Sequence, residues 1–482
     1  MDGETRETQD GLEANPLSHA ADDSKSEPRA LGAPAAIVYV AIVAIICLIP
    51  SVGLLFGGSE TSSDSDAASA PKLVDAEGAP NLNLLQDAGE WFDDHFAFRN
   101  EYVTAMALLE STLFGVSSDD GVVNGTDGWL YYADSIDDYR ATDQLGDRAL
   151  FNIAHSMRLV QNYALGHGMD FAFAISPNKN TLYGEHMPYY YQVDAGETNL
   201  DRIVAVLEDE GVNYVDLRSL FEGRDEVLYH KRDSHWNNEG AAMAADALLG
   251  ALGQEHRDYS GEPYEIVEDF VGDLDKMLFP AAPTAEAQVY YQDAPQFRYV
   301  TENVQSNFDP RIETASEVPE ATGSLVMYRD SFGNTLLPFM AEAYGSAYFS
   351  RAVPYQLNVD LDAHGADALV IERAQRFMRD MAANPPIMPA PMLGDDALAD
   401  AASGFEPVEV QEETRGDYQL ITGDVPDEGL AADARIAVRV NGGLVYEAFG
   451  ATDAQTGEER FQILIPRSVL LQEGNVYELA II

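Results

Sequence analysis

Two short stretches of this chain hold the side-chain types that acyl or ester chemistry needs. His230-Lys231-Arg232-Asp233-Ser234-His235-Trp236-Asn237 runs into a helix-like segment, and Tyr328-Arg329-Asp330-Ser331-Phe332-Gly333-Asn334 stands at a strand-to-helix junction. A serine in such a turn presents its hydroxyl beside the free N–H groups of the first helical turn. These are the parts of an activated nucleophile and an oxyanion hole. The hydroxyl must lose its proton as it attacks, and His235 supplies a base. Asp233, two residues earlier, can hold the imidazole in one tautomer and offset the charge it gains. Spacing alone leaves two other readings open. Asp330-Ser331 can simply cap the following helix. His230, Asp233, His235 and Glu239 can supply metal ligands from one loop and its helix, although no further His or Cys cluster closes such a site.

These motifs need elements to position them. Between residues 81 and 385 strand-like and helix-like stretches alternate: 171–175, 214–217, 324–328 and 368–371 read as strands, and 148–166, 199–210, 238–252 and 333–344 as helices. The alternation predicts an α/β domain with a mostly parallel sheet, its functional groups at the carboxyl ends of the strands. A Pro-rich break at 384–391 ends this region, and 386–412 reads as a linker. Residues 413–482 carry strand patterns at 418–422, 434–440, 444–449, 461–465 and 476–482, with the hairpin signal Asn441-Gly442-Gly443, which predicts a small β-sandwich.

The N-terminal 80 residues are of another kind. Residues 1–31 are polar and aperiodic and read as a disordered tail. Leu31 to Gly58 contains no charged residue, and its core, Ala35 to Phe56, is about 33 Å long as a helix. This predicts a transmembrane helix over 32–58. Lys25 and Arg29 precede it and Glu60, Asp64 and Asp66 follow, placing the N-terminus in the cytoplasm and the domain outside. Residues 59–80 read as a spacer. The 482 residues carry 28 Lys and Arg against 82 Asp and Glu, a formal charge of −54. Such a surface repels phosphate backbones and excludes a nucleic-acid partner held by bulk charge. The single cysteine, Cys47, excludes a disulfide framework and a Cys-rich zinc site.

The chemistry-bearing blocks resemble a known set. Asp233-Ser234-His235-Trp236 resembles the D-x-H-W element of the alginate O-acetyltransferase family and the related DHHW proteins, and Asp330-Ser331-Phe332 their D-S-F block. Trp91–Arg99 is similar to the N-terminal F-x-x-R stretch, and Asp127-Gly128-Trp129-Leu130-Tyr131-Tyr132 to the D-G-W-L-F-Y block. Pro177-Asn178-Lys179 with Tyr183 and Pro188 is similar to the P-x-K…Y…P block, and Glu372-Arg373 to the late E-R. The resemblance covers about 85–380. It implies an SGNH-hydrolase-like three-layer domain with a catalytic triad of Asp233, His235 and Ser331, in permuted chain order, needing neither metal nor cofactor.

The resemblance also implies acetyl transfer to hydroxyls of an exported or cell-envelope polysaccharide. A membrane-bound O-acyltransferase would supply the acetyl group across the membrane. Ser234 stands where the DHHW form has a second His, and Arg329 where many alginate-type relatives have Gly. The C-terminal β-region sits where some relatives carry a carbohydrate-binding module. Arg329, Asn334, Lys179, Trp129 and Tyr131 are the substrate or oxyanion candidates, set against core packing, ion pairing and helix capping. The expectation is thus a membrane-anchored, extracytoplasmic O-acetyltransferase. Its alternatives are a carbohydrate acetylesterase with the same triad and a non-catalytic glycan-binding scaffold.

Overall fold

The computed structural model describes residues 33–54, 69–74, 78–192, 196–398, 404–426, 430–453 and 456–482. The tail expected over 1–31, its flanking charges, and most of the spacer expected over 59–80 lie outside these residues. The chain divides into two compact units, Met1–Arg99 and Asn100–Ile482.

In the first unit Ala33–Leu54 and Leu84–His95 are helical. The Ala33–Leu54 helix is uncharged, and Ile37, Val40, Ile45 and Leu48 on it are exposed. The transmembrane expectation needs correcting at this point. Among the described residues no helix is long and apolar enough to cross a membrane.

The second unit is built on eleven strands in its first 275 or so residues: β1 (Val122–Asn124), β2 (Leu130–Tyr132), β3 (Asp170–Ser176), β4 (Tyr214–Val215), β5 (Tyr264–Phe270), β6 (Glu286–Tyr291), β7 (Phe297–Tyr299), β8 (Arg311–Ser316), β9 (Ser324–Tyr328), β10 (Ser346–Ser350) and β11 (Ala368–Ala374). Seven of them form the central sheet in the order β4-β3-β11-β9-β10-β8-β7. The pairings from β4 to β10 are parallel, whereas β8 runs antiparallel to β10 and β7 antiparallel to β8. The sheet is therefore mixed rather than mostly parallel. The cause lies in the connection. Only seven residues link β8 to β9, too few for the crossover that parallel strands require, so β8 must run the other way.

The strands that carry the site are buried on both faces. β11 is buried along its whole length and β3 from its second residue onward, which is why both read as continuous apolar runs rather than alternating ones. Alternate side chains serve opposite layers. Ala172, Ala174, Met327 and Val370 pack with the helices Asn238–Ala251 and Gly333–Ala343. Phe171, Phe173, Tyr328 and Ile371 pack with Asp147–Gly166 and Asn199–Asp209. The period of two along each strand thus produces three layers, helix–sheet–helix.

The last segment forms one seven-stranded antiparallel sheet from strands at 406–407, 410–415, 418–424, 436–440, 445–452, 459–466 and 477–481. The strand Val445–Thr452 pairs with Ile436–Val440 through its first half and with Glu459–Pro466 through its second. It carries the sheet around a single core of Ile421, Val438, Phe461, Ile463 and Leu479. A β-region is present as expected, as one folded-over sheet.

Candidate active site

Ser331 follows the carboxyl end of β9, where Arg329-Asp330-Ser331-Phe332 turns the chain into the helix Gly333–Ala343. The turn is tight: a Cβ at position 333 would lie 2.5 Å from Arg329 Cβ, so glycine lets the helix start directly beneath the arginine stem. The helix-cap reading is not realised: the helix starts with no side-chain cap, and Asp330 instead holds the turn ahead of it. Its Oδ1 accepts the Phe332 N–H at 2.9 Å and its Oδ2 the Ala374 N–H at 2.6 Å, tying the turn to β11. Glu372 of β11 accepts the Asp330 N–H at 3.2 Å and the Ser176 hydroxyl at 2.5 Å. Burial, then the neighbouring Asp330 carboxylate, pushes Glu372 up to about 8. The Ser331 hydroxyl faces His235.

The histidine arrives on a loop held from all sides. Tyr229 and Trp236 bridge across its neck, and Asn237 Oδ1 accepts the Gly240 N–H at 2.9 Å to start the helix behind it. Lys179, buried at the mouth of β3, donates from Nζ to the carbonyls of His230 (3.1 Å), Lys231 (2.9 Å) and Asp233 (2.5 Å). Burial lowers its amine to about 8. Glu286 accepts the Lys231 and Arg232 N–H groups at 2.8 and 3.1 Å. The segment after β5 comes so close that a Cβ on Gly272 would meet the Arg232 carbonyl at 2.1 Å.

These constraints align three side chains. His235 Nε2 lies 2.8 Å from Ser331 Oγ, and His235 Nδ1 lies 2.8 Å from Asp233 Oδ1. Asp233 also accepts the His235 N–H at 2.9 Å and the Asp273 N–H at 2.7 Å. Burial opposes the charge on Asp233, but the hydrogen bond and charge of His235 and these two N–H groups outweigh it and hold the carboxyl well below its ordinary value. Burial likewise opposes charge on His235. Asp233, with Asp273 behind it, outweighs that and raises the imidazole above 6.5.

The remaining sequence candidates divide. Asn334 lines the cavity above Ser331. Arg329 does not: its guanidinium is buried, donating to Asn334 Oδ1 and to the carbonyls of Asn307 (2.8 Å) and Asp309 (3.2 Å). Lys179 faces the loop backbone. Trp129 and Tyr131 are buried beneath it, with Lys179 Nζ 5.8 and 5.3 Å from their ring centres. The ligands weighed for a metal do not converge. His230 is stacked on Phe270 at 3.8 Å and lowered to about 4 by burial, and Glu239 lines a different cavity. Asp273 joins Asp233 and His235, with potential ligand atoms within 4.8 Å, but its carboxylate accepts the Ser234 N–H and hydroxyl at 2.8 and 2.6 Å.

Two residues at the site had no signal in the sequence. Asp273 lies 3.6 Å from His235 Nδ1. Arg376 reaches Ser331 Oγ with Nη2 at 3.4 Å while its guanidinium lies over the rings of Tyr132, Phe332 and Phe377. Both sit on segments whose approach depends on the sheet, not on local pattern.

With this geometry in view, comparison with known proteins is informative. Residues 122–314 match the family model for the SGNH hydrolase-like domain of the acetyltransferase AlgX; the match ends before Ser331. The probable alginate O-acetylase AlgJ of Pseudomonas syringae pv. tomato is 26% identical over 253 residues, 50% of this chain and 60% of the relative. That of Pseudomonas putida is 25% identical over 207 residues, 41% of this chain and 52% of the relative. The chain thus spans between half and three-fifths of these curated relatives. Among solved structures, Bacillus cereus PatB1 superposes with a TM-score of 0.43 at 14% identity, covering 53% of this chain and 96% of that one. Residues 122–314 are thus similar to the SGNH hydrolase-like domain of the acetyltransferase AlgX, and about half of the chain is similar to the probable alginate O-acetylases.

Proposed function

We propose that this protein is an O-acetyltransferase that moves acetyl groups onto hydroxyls of an extracytoplasmic polysaccharide through a covalent acetyl-Ser331. The observation that carries the reading is the hydrogen-bonded chain Ser331–His235–Asp233, two contacts of 2.8 Å in line. Asp233 accepts the Nδ1 proton, so the lone pair sits on Nε2 and faces the serine hydroxyl. In the first half-reaction Ser331 Oγ bonds to the acetyl carbon and His235 takes the hydroxyl proton. The donor's acyl bond then breaks, and His235 returns the proton to the departing group. In the second, a sugar hydroxyl attacks the acetyl-serine, His235 takes its proton, and the serine leaves with that proton restored. Hydrolysis differs only in that water replaces the sugar.

Each half-reaction places negative charge on the former carbonyl oxygen. Asn334 lines the cavity, and its buried Nδ2 has no hydrogen-bond partner among the described residues. A guanidinium has donors only, so Arg329 must face Asn334 Oδ1, which leaves Nδ2 turned away from it as a free donor. Asn334 and Arg376 are the groups we assign to that oxygen. The acetyl donor would be delivered by a membrane-bound O-acyltransferase partner. The uncharged run 31–58 would hold the chain at the membrane with its domain outside, a reading supported by the exposed apolar side chains of Ala33–Leu54 and the charges flanking it in sequence.

Incubation with 4-nitrophenyl acetate followed by intact-mass measurement should show one added acetyl group, located on Ser331. Ser331→Ala should abolish it and lower turnover by about 10⁴–10⁶-fold. Full activity in that variant would end the proposal. Acetylated oligosaccharide as product marks transfer; free acetate in the presence of every acceptor tried would favour the esterase.

A further inference from the structure

The cavity above Ser331 encloses about 350 Å³, room for a sugar ring as well as an acetyl group. Its lining is aromatic and amide-rich, with Trp236, Phe270, Tyr290, Tyr291, Phe308 and Phe339 as the large rings. No Lys or Arg lines it, and its histidine outside the triad, His230, is held neutral at ordinary pH by burial. Phe308 is 63% exposed at the rim, so its ring face is open to a ligand entering the cavity.

A second cavity of about 460 Å³ adjoins the first, since Tyr291 lines both. Tyr264 stands there at 6.3 Å from the Tyr291 ring. The wall of this second cavity carries Glu226, Glu239, Asp246 and Asp258 against a single cation, Arg224. The two cavities offer ring faces to pack against sugar C–H surfaces and carboxylates to accept from sugar hydroxyls. A polymer with a carboxylate on every residue would meet repulsion here, reinforced by the chain's net charge of −54.

We infer that the acceptor is an uncharged glycan, lying from the rim at Phe308 across Tyr291 toward the acidic wall, and not a polyuronate. The inference rests on the acetyl-transfer reading for the word acceptor, but binding can be tested apart from chemistry. Arg376 touches Ser331 Oγ and is not among the residues lining either cavity, so it serves the reacting oxygen rather than the polymer.

The test uses the full chain carrying Ser331→Ala, which binds without turning over, and isothermal calorimetry with two hexasaccharide probes: β-1,4-linked glucose and β-1,4-linked mannuronate. The glucose hexamer should bind at least tenfold tighter than the mannuronate hexamer at 20 mM salt. The gap should narrow at 500 mM as screening relieves the repulsion. Phe308→Ala, a change at an exposed side chain checked by an unaltered melting temperature, should weaken glucose-hexamer binding by fivefold or more. Equal or tighter binding of the mannuronate hexamer, or unaltered binding in Phe308→Ala, overturns the inference. Absence of acetyl on Ser331 in the wild-type chain, with uncharged-hexamer preference intact, would instead remove the transferase reading and leave the binding site standing.

Discussion

At the scale of single residues, the site is a set of donors and acceptors whose directions are forced by what each group lacks. Arg329 cannot accept, so it dictates the orientation of Asn334, and Asp330 ties the turn together by accepting the Phe332 and Ala374 N–H groups. Asn334→Ala should lower kcat by about 10²–10³-fold with little change in KM, since an oxyanion donor acts in the transition state. Arg329→Met should follow in the same direction and also lower the melting temperature, because the Asn307 and Asp309 carbonyls lose a donor at roughly 1–3 kcal/mol each. A loss confined to KM in Asn334→Ala would count against the assignment. The imidazole must be neutral to act as base, and its pKa is raised by Asp233. Thus kcat/KM for an activated ester should rise with pH through an inflection above 6.5. Asp233→Asn removes the raising charge, so the inflection should move to lower pH while the plateau falls by about 10⁴-fold. An inflection that stays in place would show that Asp233 does not face the working histidine.

At the scale of elements, the decisive unit is the loop 230–237, which has no regular structure and is held by others. Lys179 is the main strut, with three carbonyls on one ammonium. Lys179→Met should lower the melting temperature, because removing the donor leaves buried acceptors unpaired at roughly 1–3 kcal/mol apiece. It should also depress kcat more than KM, since the loop carries the base rather than the acceptor. Lys179→Arg should fail to restore either, as a planar fork cannot aim at three carbonyls around one point. Wild-type kcat in Lys179→Met would show that the loop holds its shape without the strut. The strands beneath were legible: 171–175, 324–328 and 368–371 are apolar runs because both faces are covered, and all lie in the central sheet. β5 was not legible. Tyr264–Phe270 is almost wholly exposed and alternates with charge, so it offers no burial pattern, only its pairing with β6.

At the scale of the whole second unit, the C-terminal sheet and the helix Asp147–Gly166 share a buried polar seam. His155 lies 2.8 Å from Glu210 and 3.1 Å from Glu447, which is also paired with Arg435 at 2.5 Å. Asn152 and Arg148 reach Glu459 at 2.9 and 3.3 Å, and Phe449 belongs to the core beneath the central sheet. Leu393 and Ala390 hydrogen-bond to Val445 and Leu464, so the Pro-rich stretch lies along the sheet it precedes. Burial opposes charge on His155, but the two glutamates outweigh it and raise the imidazole. A raised folded pKa means stability that is fully present below about pH 6.5 and lost as pH rises through the folded value. Glu447 is shifted downward, so its contribution fails only below about pH 4.5. Thermal melts should therefore fall from pH 6 toward pH 9, and His155→Gln should flatten that decline. A wild-type melting temperature constant over this range would show that the seam is not held by a charged imidazole.

The sequence by itself determined the strands and helices around the site and the residues proposed to react. Apolar runs bounded by turn residues specify strands and helices locally, and D-x-H followed by D-S-F names a base, its partner and a nucleophile whatever the fold does with them. Tertiary structure alone decided which polar groups face the cavity. Arg329 was turned inward to pair with Asn334, and Lys179, Trp129 and Tyr131 were placed behind the loop rather than before it. Arg376 came to Ser331 from 45 residues away. The direction of β8 was likewise decided by a connection too short to cross over. Local pattern reports whether a side chain is apolar or polar. Which neighbour satisfies a polar side chain depends on segments far apart in the chain, and that choice is made only when the layers close.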